Sequence, residues 1–275
     1  MTRLRRILHR LLLLLLPDCR YRRVWLSYYR HRWFFENAGY TVLIDRSKVL
    51  VSGHGITITG DSENTILTAC GVLCGHEYDF YDTAEYLVID IGLNIGITSV
   101  FLACKENVKK IYAYEPFLPT LRQAERNLHA NACSREKVQV FPWGLGNEEK
   151  QLTFHYNPDA PGSMSTVRDV YPDAPLAEYV VIKPASRELA TVFAEHAGLK
   201  KALKIDCEGS EMEILEDLKK AGLLAQVDLI LLEWHFGYGR DLIDLLTDCG
   251  FVLTCRHDIP EKQGVITAFR SKTAV

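Results

Sequence analysis

The amino-acid sequence predicts an α/β fold: a doubly wound, mostly parallel sheet with helices on both faces, preceded by a small β-meander and a basic helical arm. Three observations support this prediction. From residue 86 onward, apolar runs typical of strands buried on both faces alternate with stretches of helical periodicity. A glycine turn follows the first of these runs, at residues 90–96. Upstream, three short β-rich runs are separated by turn residues.

The arm comprises the first 40 residues, and its residues 1–32 contain nine arginines against one acid. The leucine run at 11–16 resembles part of a secretion signal, but His9 and Arg10 interrupt it and no small-x-small cleavage site follows. It is also shorter than the ~20 apolar residues of a membrane span. Two interpretations stay open: a helix lying on an anionic membrane surface, or a helix packed on its own domain or on a partner. We expect a cytoplasmic protein, peripheral on the inner face of the membrane under the first interpretation.

The composition, with 48% hydrophobic and 24% charged residues among 275, is typical of a globular protein. We divide the chain into the arm (1–40), a β-rich entry segment (41–80) and a main domain (81–275). The net charge is −3, and because the arm is strongly basic the main domain is acidic. This argues against a nucleic-acid partner, since phosphate binding requires a basic surface. The eight cysteines lack zinc-site spacing, so we expect reduced, buried thiols.

Each element is assigned from its local pattern. The meander is predicted to contain strands at 41–44, 49–51 and 56–59. In the main domain, strands are predicted at 86–91, 110–114, 138–141, 202–205, 228–232, 251–255 and 265–269. Helices are predicted at 95–105, 118–130, 210–221 and 241–249. Residues 157–184 are predicted to be irregular, and the last strand is predicted at an edge of the sheet.

The glycine turn reads Asp90-Ile91-Gly92-Leu93-Asn94-Ile95-Gly96 and joins the first main strand to its helix. Ligands of open α/β sheets bind outside the carboxyl ends of the strands, where glycine permits close approach. Glu115 ends the second main strand and can bind ribose hydroxyls. Asn94 either reaches the cofactor or stabilises the turn itself. The predicted cofactor-binding residues are therefore Asp90, Gly92, Asn94, Gly96 and Glu115.

The spacing of this turn favours S-adenosylmethionine over a dinucleotide. A dinucleotide site would read G-x-G-x-x-G, whereas here the glycines are spaced G-x-x-x-G with an aspartate two residues before the first. Asp90 would repel a pyrophosphate, but it can meet the ammonium group of S-adenosylmethionine directly or through water. A tight turn that binds no ligand is the structural alternative.

Further motifs follow the turn in a distinctive order. They are Tyr114-Glu115-Pro116, Asn127 and Asn131, Gly144-Leu145-Gly146, Gly162-Ser163, Lys204-Ile205-Asp206-Cys207-Glu208-Gly209-Ser210-Glu211 and Glu233-Trp234-His235. Together they resemble the FkbM-type methyltransferases over roughly residues 61–270. The resemblance implies a class I Rossmann-like methyltransferase fold, S-adenosylmethionine as donor, and usually O-methylation of hydroxyls on sugars, polyketides or other metabolites. One departure is the Leu-Asp pair frequent in the family, in whose place this chain has Ser186-Arg187-Glu188-Leu189.

The motif around Asp206 contains the predicted catalytic residues. Lys204, Asp206 and Glu208 alternate along a strand end, so their side chains share one face. A hydroxyl acceptor is a poor nucleophile and needs a base or a metal. We predict that Asp206 or Glu208 orients or deprotonates it, with Lys204 tuning their charge, and that His235 is a second candidate base. We predict no metal site, since acids of unknown placement do not establish one.

Structural alternatives accompany these roles. Lys204 and Asp206 would then form an ion pair, Glu208 or Glu211 would cap the following helix, and His235 would be a satisfied structural donor. Residues 162–165 are interpreted either as part of a lid over the cofactor or acceptor, or as a plain surface loop.

The leading hypothesis is S-adenosylmethionine-dependent O-methylation of a small-molecule or glycan acceptor: a sugar, a lipid-linked saccharide or a secondary metabolite. The main alternative is a catalytically silent binding or scaffold protein that kept the fold, which loss of cofactor binding would favour. A nicotinamide-dependent oxidoreductase is disfavoured because its glycine spacing is absent.

Overall fold

The computed structural model describes residues 3–157, 164–167, 172–173, 176–258 and 263–270. The helices are α1 (Arg3–Leu15), α2 (Arg20–Asn37), α3 (Glu63–Ala69), α4 (Ile97–Ala103), α5 (Leu118–Ala130), α6 (Ala132–Lys137), α7 (Ala185–Glu195), α8 (Glu211–Lys220) and α9 (Gly239–Asp248). The strands are β1 (Thr41–Asp45), β2 (Lys48–Gly53), β3 (Ile56–Gly60), β4 (Tyr86–Ile91), β5 (Val108–Tyr114), β6 (Val138–Phe141), β7 (Gly144–Gly146), β8 (Lys150–Tyr156), β9 (Leu176–Pro184), β10 (Lys200–Ile205), β11 (Leu229–His235), β12 (Phe251–Asp258) and β13 (Gln263–Arg270).

A seven-stranded sheet in the order β12-β13-β11-β10-β4-β5-β6 forms the centre of the main domain. The strands from β11 to β6 pair in parallel, while β13 is antiparallel to both β11 and β12. The prediction of 265–269 as an edge strand is therefore wrong, since β12 is the edge. Consecutive antiparallel strands turn the chain back into the sheet, and Ile266 and Ala268 become fully buried. The boundary between β4 and β10 is the switch point, where ligands of such sheets bind.

Alternate residues of the central strands face two separate hydrophobic cores. On one face, Val88 and Leu231 pack with α2, α4, α5 and the β1–β3 strands. On the other face, Ile89 and Leu232 pack with α7, α8 and α9. Consecutive strand residues point to opposite faces, so all of β4 is buried. The doubly wound arrangement predicted from continuous apolar runs is confirmed.

The predicted meander forms a three-stranded antiparallel sheet, β1-β2-β3. Asn127 of α5 and Asn131, the residue that follows this helix, form hydrogen bonds with the backbone of the outer strand β3. Asn131 Oδ1 accepts the N–H of Thr57 at 2.8 Å, and its Nδ2 donates to the Thr57 carbonyl at 2.7 Å. Asn127 Oδ1 accepts the N–H of Thr59 at 2.8 Å, and its Nδ2 donates to the carbonyls of Thr59 and Ile95 at 3.0 and 2.8 Å. These contacts, here named the asparagine joint, fasten the meander to the helix and to the glycine turn.

The middle of the chain is more regular than the sequence predicts. β9 pairs in parallel with β7 and antiparallel with β8, so residues 176–184 form a strand within the stretch predicted as irregular. Within β9, Val180 and Ile182 are buried, while the residues before them are largely exposed. The alternation of buried and exposed residues that marks a strand is therefore too short to recognise in the sequence. This small sheet packs against Phe117 and Met164 in a third hydrophobic core.

The arm forms two packed helices. α2 buries Phe35 in the core of one sheet face. α1 packs on α2 through Leu13 and His9. His9 Nδ1 lies 2.9 Å from the Tyr29 hydroxyl, and His9 Nε2 lies 2.9 Å from the Tyr21 hydroxyl. Most other apolar side chains of α1 are exposed. Across the residues that the structure describes, no helix has the length and apolar character needed to cross a membrane.

The cysteines depart from the expectation of reduced, buried thiols. Cys104 and Cys133 form a disulfide between the end of α4 and α6, with Cα atoms 5.2 Å apart. The two residues come together because α4 and α6 pack side by side on one face of the sheet. The other six cysteines are half-buried and form no disulfide within the described chain.

Candidate functional site

The glycine turn between β4 and α4 has the backbone conformation that its sequence predicts. Gly92, Asn94 and Gly96 have φ values of 86°, 54° and 84°, a region that glycine and asparagine tolerate best. A Cβ on Gly92 would lie 1.7 Å from the carbonyl oxygen of Asp206, because the ends of β4 and β10 touch there. Asn94 Oδ1 accepts the N–H of Ile95 at 2.8 Å, so this side chain stabilises the turn.

Asp90 and Lys204 form a buried ion pair behind the turn. They are direct partners in the pairing of β4 and β10, with 3.0 Å between Lys204 Nζ and Asp90 Oδ1. Lys204 Nζ also donates to the Gly92 carbonyl at 2.6 Å, and Ser99 Oγ donates to Asp90 Oδ2 at 2.6 Å. Burial acts to lower the pKa of Lys204, but attraction by Asp90 and Asp206 outweighs it and raises the pKa. Asp90 is 0% exposed and is bound by Lys204 and Ser99, so it is placed to hold the turn. Its contact with the ammonium group of S-adenosylmethionine, directly or through water, stays a prediction.

Glu115 lies at the end of β5 with its carboxylate beside the glycine turn. Its Oε2 accepts the N–H of Asn94 at 2.9 Å and its Oε1 accepts the N–H of Phe117 at 3.0 Å. Burial raises the pKa of Glu115 to about 7, against the opposing effect of these two hydrogen bonds. A carboxylate has further lone pairs, which can accept the two hydroxyls of a ribose.

A narrow cleft, continuous with solvent, lies between the glycine turn and the ends of β5 and β10. Met164 and Thr166 form part of its wall, and Ser165 Oγ donates to the carbonyl of Glu208. The described part of the predicted lid therefore borders the cleft, while Gly162 and Ser163 lie outside the described residues. Other wall residues are Gly92, Asn94, Glu115, Phe117, Asp206 and Glu208.

Polar side chains gather beside the cleft where β10 and β11 end. This strand-end cluster consists of Asp206, Glu208, Glu233, His235 and Tyr78. The Tyr78 hydroxyl lies 3.2 Å from Asp206 Oδ2 and 3.1 Å from Glu233 Oε2, and its single proton cannot fully satisfy both. Burial, and then repulsion by Asp206, raise the pKa of Glu233 to about 8. Burial, followed by the two carboxylates, holds the pKa of Tyr78 well above its usual value.

His235 is 7% exposed and is oriented by a neighbour outside the cluster. Its Nδ1 lies 2.9 Å from Glu211 Oε1, an oxygen that also accepts the N–H of Gly209 at 3.0 Å. Its Nε2 faces the carboxylates of Glu208 and Glu233 at 3.6 and 3.9 Å. Burial acts to lower the pKa of His235, but the Glu211 hydrogen bond and the charge of Glu208 raise it to about 9. Glu211 thus joins the turn before α8 to the imidazole.

The structure brings Asp206, Glu208 and His235 together and turns Lys204 towards Asp90. Lys204 Nζ is 3.8 Å from Asp206 Oδ2, compared with 3.0 Å from Asp90 Oδ1. Its stronger interactions are therefore with the buried side of the glycine turn. The ion pair foreseen between Lys204 and Asp206 is the weaker of the two that this lysine makes.

Sequence reasoning missed Tyr78, Glu233 and Glu211 as parts of the site. Tyr78 is 128 residues from Asp206 along the chain, so no local pattern connects the two. Glu233 precedes His235 by two positions on one strand and therefore shares its face, a signal that could have found it. The contact of Glu211 with His235 depends on the packing of α8 beside the end of β11 and has no signal in the sequence.

The chemistry of the cleft fits S-adenosylmethionine. Its described wall carries three carboxylates, from Glu115, Asp206 and Glu208, and no basic side chain. This suits a cofactor with a sulfonium and an ammonium group, whereas a pyrophosphate would be repelled. Glu115 would hold the ribose, and Phe117 offers an apolar wall next to it.

Comparison with known proteins gives a consistent picture. Residues 90–253 match the family model described as the methyltransferase FkbM domain. The chain is 30% identical over 215 residues to the AMB antimetabolite synthetase AmbE of Pseudomonas aeruginosa, a match to 63% of this chain and 10% of that protein. It is 26% identical over 227 residues to methyltransferase sdnD of Sordaria araneosa, with 72% of this chain and 87% of that protein covered. The chain thus spans about a tenth of the length of AmbE and most of sdnD.

Among solved structures, methyltransferase FkbM from Methylobacillus flagellatus KT is similar with a TM-score of 0.45 and 14% sequence identity, over 89% of this chain and 60% of that chain. The family match itself covers more than half of the sequence. This chain therefore belongs to the FkbM family of methyltransferases, which take their methyl group from S-adenosylmethionine.

Proposed function

We propose that this methyltransferase acts on a hydroxyl oxygen of a small-molecule or glycan acceptor, such as a sugar, a lipid-linked saccharide or a secondary metabolite. The observation that carries the proposal is that two carboxylates, Asp206 and Glu208, form part of the wall of the cofactor cleft. A hydroxyl must lose its proton when its oxygen attacks a methyl carbon, and a carboxylate beside the cleft can take that proton. S-adenosylmethionine, when bound, supplies the electrophilic methyl group.

On the cofactor side, Glu115 binds the ribose and Gly92 allows the backbone to approach the cofactor closely. Lys204 is a positioning residue, because its Nζ joins the Gly92 carbonyl to Asp90. Asp90 fixes this lysine and contacts Ser99 at the start of the following helix. The buried pair therefore holds the turn in the shape that the cofactor needs.

On the acceptor side, Asp206 or Glu208 orients the hydroxyl and receives its proton. His235 lies behind Glu208 and is not part of the cleft wall, so its effect on the acceptor passes through that carboxylate. Met164 and Thr166 border the cleft and reduce the access of water.

The first test is binding of the cofactor. Purified protein, freed of copurified ligand, is titrated with S-adenosylmethionine and with NAD by calorimetry. We expect saturable binding of S-adenosylmethionine alone, weakened in Glu115→Gln and unchanged in Glu178→Gln, a half-exposed acid on β9. Bound protein is then screened against hydroxylated and amine acceptors, and transfer to amines alone would reject the oxygen assignment. Absence of cofactor binding in folded protein would favour the scaffold alternative.

A nucleic-acid acceptor is disfavoured by charge. The described cleft wall is acidic, and the chain outside the arm carries a net negative charge. A phosphate backbone would therefore be repelled at the place where the methyl group is transferred. Methylation of a total RNA preparation above the level of an Asp206→Asn control would contradict this part of the proposal.

The arm points to a membrane-associated acceptor. Seven apolar side chains of α1 are each more than half exposed: Leu4, Ile7, Leu8, Leu11, Leu12, Leu14 and Leu15. Nine arginines accompany them within residues 1–32. An apolar helix face among arginines suits an anionic bilayer, into whose headgroup region the leucines can insert. We propose peripheral attachment of α1 to such a surface, with lipid-linked saccharides as the acceptor class that it favours.

Flotation with vesicles tests this attachment. We expect the protein to float with phosphatidylglycerol-containing vesicles and less with pure phosphatidylcholine. The double variant Leu8→Asp/Leu12→Asp should stay at the bottom of the gradient. Leu43→Asp, at an exposed leucine of β1, serves as the control and should float. Equal flotation of the α1 variant and the wild type would reject attachment to the membrane through α1.

A further inference from the structure

Three side chains of the strand-end cluster converge on one point. Asp206, Glu208 and His235 each offer a ligand atom, and these atoms lie within 4.8 Å of one another. The two acids follow β10, and the histidine ends the neighbouring strand β11. Two adjacent strand ends thus supply two oxygens and one nitrogen at the edge of the cofactor cleft.

The imidazole of His235 has the orientation of a metal-binding histidine. Its Nδ1–H donates to Glu211, whose side chain is 2% exposed, so a metal ion that displaces the proton of Nε2 would find the lone pair of the ring on that nitrogen. The distances from Nε2 to Glu208 and Glu233, 3.6 and 3.9 Å, are too long for hydrogen bonds. Within the described part of the chain, this buried nitrogen has no hydrogen bond and is aimed between two carboxylates.

Negative charge concentrates at the same point. Asp206, Glu208 and Glu233 approach one another there, and like charges held close repel. The ammonium of Lys204 is 3.8 Å from Asp206, but it is bound more closely to Asp90 and to the Gly92 carbonyl. A cation between the carboxylates and the imidazole would offset the repulsion and replace the proton of His235 Nε2.

We propose that Asp206, Glu208 and His235 bind one divalent cation of the first transition series. A mixed set of carboxylates and an imidazole suits Mn²⁺ or Zn²⁺ better than Mg²⁺ or Ca²⁺, which prefer oxygen ligands alone. Glu211 is a positioning residue that fixes the imidazole. This proposal departs from the prediction from sequence that the chain has no metal site.

The role of the cation, unlike the site, rests on the proposed function. Positive charge beside the cleft lowers the pKa of an acceptor hydroxyl, which releases its proton to solvent. The new C–O bond forms as the S–C bond of the cofactor breaks, and the sulfonium leaves as a thioether. With the cation bound, Asp206 and Glu208 would act on the hydroxyl through it, whereas in the metal-free protein one of them takes the proton directly, as proposed above.

The test is a titration of full-length protein, stripped with EDTA and dialysed, with MnCl₂ in the absence of cofactor. Free Mn²⁺ is followed by electron paramagnetic resonance. We expect one Mn²⁺ per chain, and Zn²⁺ should displace it. Asp206→Asn and His235→Gln should weaken binding by about 100-fold, and Glu211→Gln by about tenfold, as for residues that orient a ligand. Glu213→Gln, a half-exposed acid of α8 that lies 3.7 Å from Lys150, is the matched control and should bind as wild type.

The outcomes separate the cation site from the proposed function. Thermal unfolding first establishes which variants are folded. If Asp206→Asn does not fold, His235→Gln is used as the test variant. Absence of saturable Mn²⁺ and Zn²⁺ binding, or wild-type affinity in both ligand variants, would overturn the site. Calorimetry with S-adenosylmethionine in EDTA runs in parallel. Cofactor binding without Mn²⁺ binding would support the proposed function and reject the cation site. Mn²⁺ binding without cofactor binding would support the cation site and reject the proposed function.

Discussion

Two regions of this molecule gather polar side chains, and they do so in opposite ways. In the asparagine joint, the amide groups of Asn127 and Asn131 meet backbone partners at 2.7–3.0 Å. In the strand-end cluster, two carboxylates share the hydroxyl of Tyr78, and His235 Nε2 lies beyond hydrogen-bond distance of its neighbours. The first arrangement is neutral and saturated, and the second is charged and incomplete.

The difference teaches how to separate structural from functional polar groups. A buried polar group that has all its hydrogen bonds stabilises the fold. Removing one partner is costly, because the remaining group stays buried without a hydrogen bond and its desolvation is no longer compensated. A half-buried cluster of like charges is unfavourable by itself, and a bound ligand of opposite charge would offset the repulsion. Substitutions in the asparagine joint should therefore lower the free energy of unfolding, whereas substitutions in the strand-end cluster should mainly weaken ligand binding.

The largest loss of stability should come from the ion pair that holds the glycine turn. Asp90→Asn keeps the shape of the side chain but leaves Lys204 as a buried charge without its partner, which should lower the free energy of unfolding by about 3 kcal/mol. Urea unfolding measures this value. The double variant Asp90→Leu/Lys204→Met should be more stable than Asp90→Asn, because no charge remains buried. If Asp90→Asn were as stable as the wild type, Asp206 would be sufficient to neutralise Lys204.

The next effect should come from the asparagine joint. Asn127→Ala removes the acceptor of the Thr59 N–H and the donor to the Ile95 carbonyl, and should lower the free energy of unfolding by about 2 kcal/mol. Asn107→Ala is the matched control, since its exposed amide donates to the Asp82 carbonyl and its loss should cost little. Equal effects of the two variants in urea unfolding would show that the joint is not a special attachment of the meander.

The same comparison shows which features a sequence can reveal. The strands, the glycine turn and the two-faced sheet follow from patterns within a few residues, because apolar runs and glycine spacing are local. The partners of Asn127 and Asn131 lie 68 and 74 residues away, on another sheet. Their family motif was visible, but its physical purpose depended on how α5 packs against β3.

The site was partly predictable for the same reason. The strand ends that carry Asp206, Glu208 and His235 meet because parallel strands present their carboxyl ends at one edge. The placement of Asp90 was not predictable, because its exposure depends on the register that sets it opposite Lys204. The position of β13 was not predictable either, since the last two strands of the chain can add to the sheet in either order.

A smaller effect, in cofactor affinity, should come from Glu115. Ribose hydroxyls donate to the ionised carboxylate, and its pKa in the free protein is raised to about 7, so the affinity for S-adenosylmethionine should rise with pH between 6 and 8. Glu115→Gln should bind about tenfold more weakly at pH 8, the loss of a hydrogen bond to a charged group, and should lack this pH dependence. Calorimetry at three pH values measures both. A rise with pH that persists in the variant would assign the titration to another group.

The smallest change in stability should come from the strand-end cluster itself. Asp206→Asn keeps an oxygen for the Tyr78 hydroxyl and removes the repulsion with Glu233, so in EDTA the free energy of unfolding should change by less than about 1 kcal/mol, and not downward. Urea unfolding beside Asn127→Ala gives the comparison directly. A loss as large as that of Asn127→Ala would make the cluster a structural network like the asparagine joint. Its side chains would then serve the stability of the fold, and neither an acceptor nor a cation would be needed to explain them.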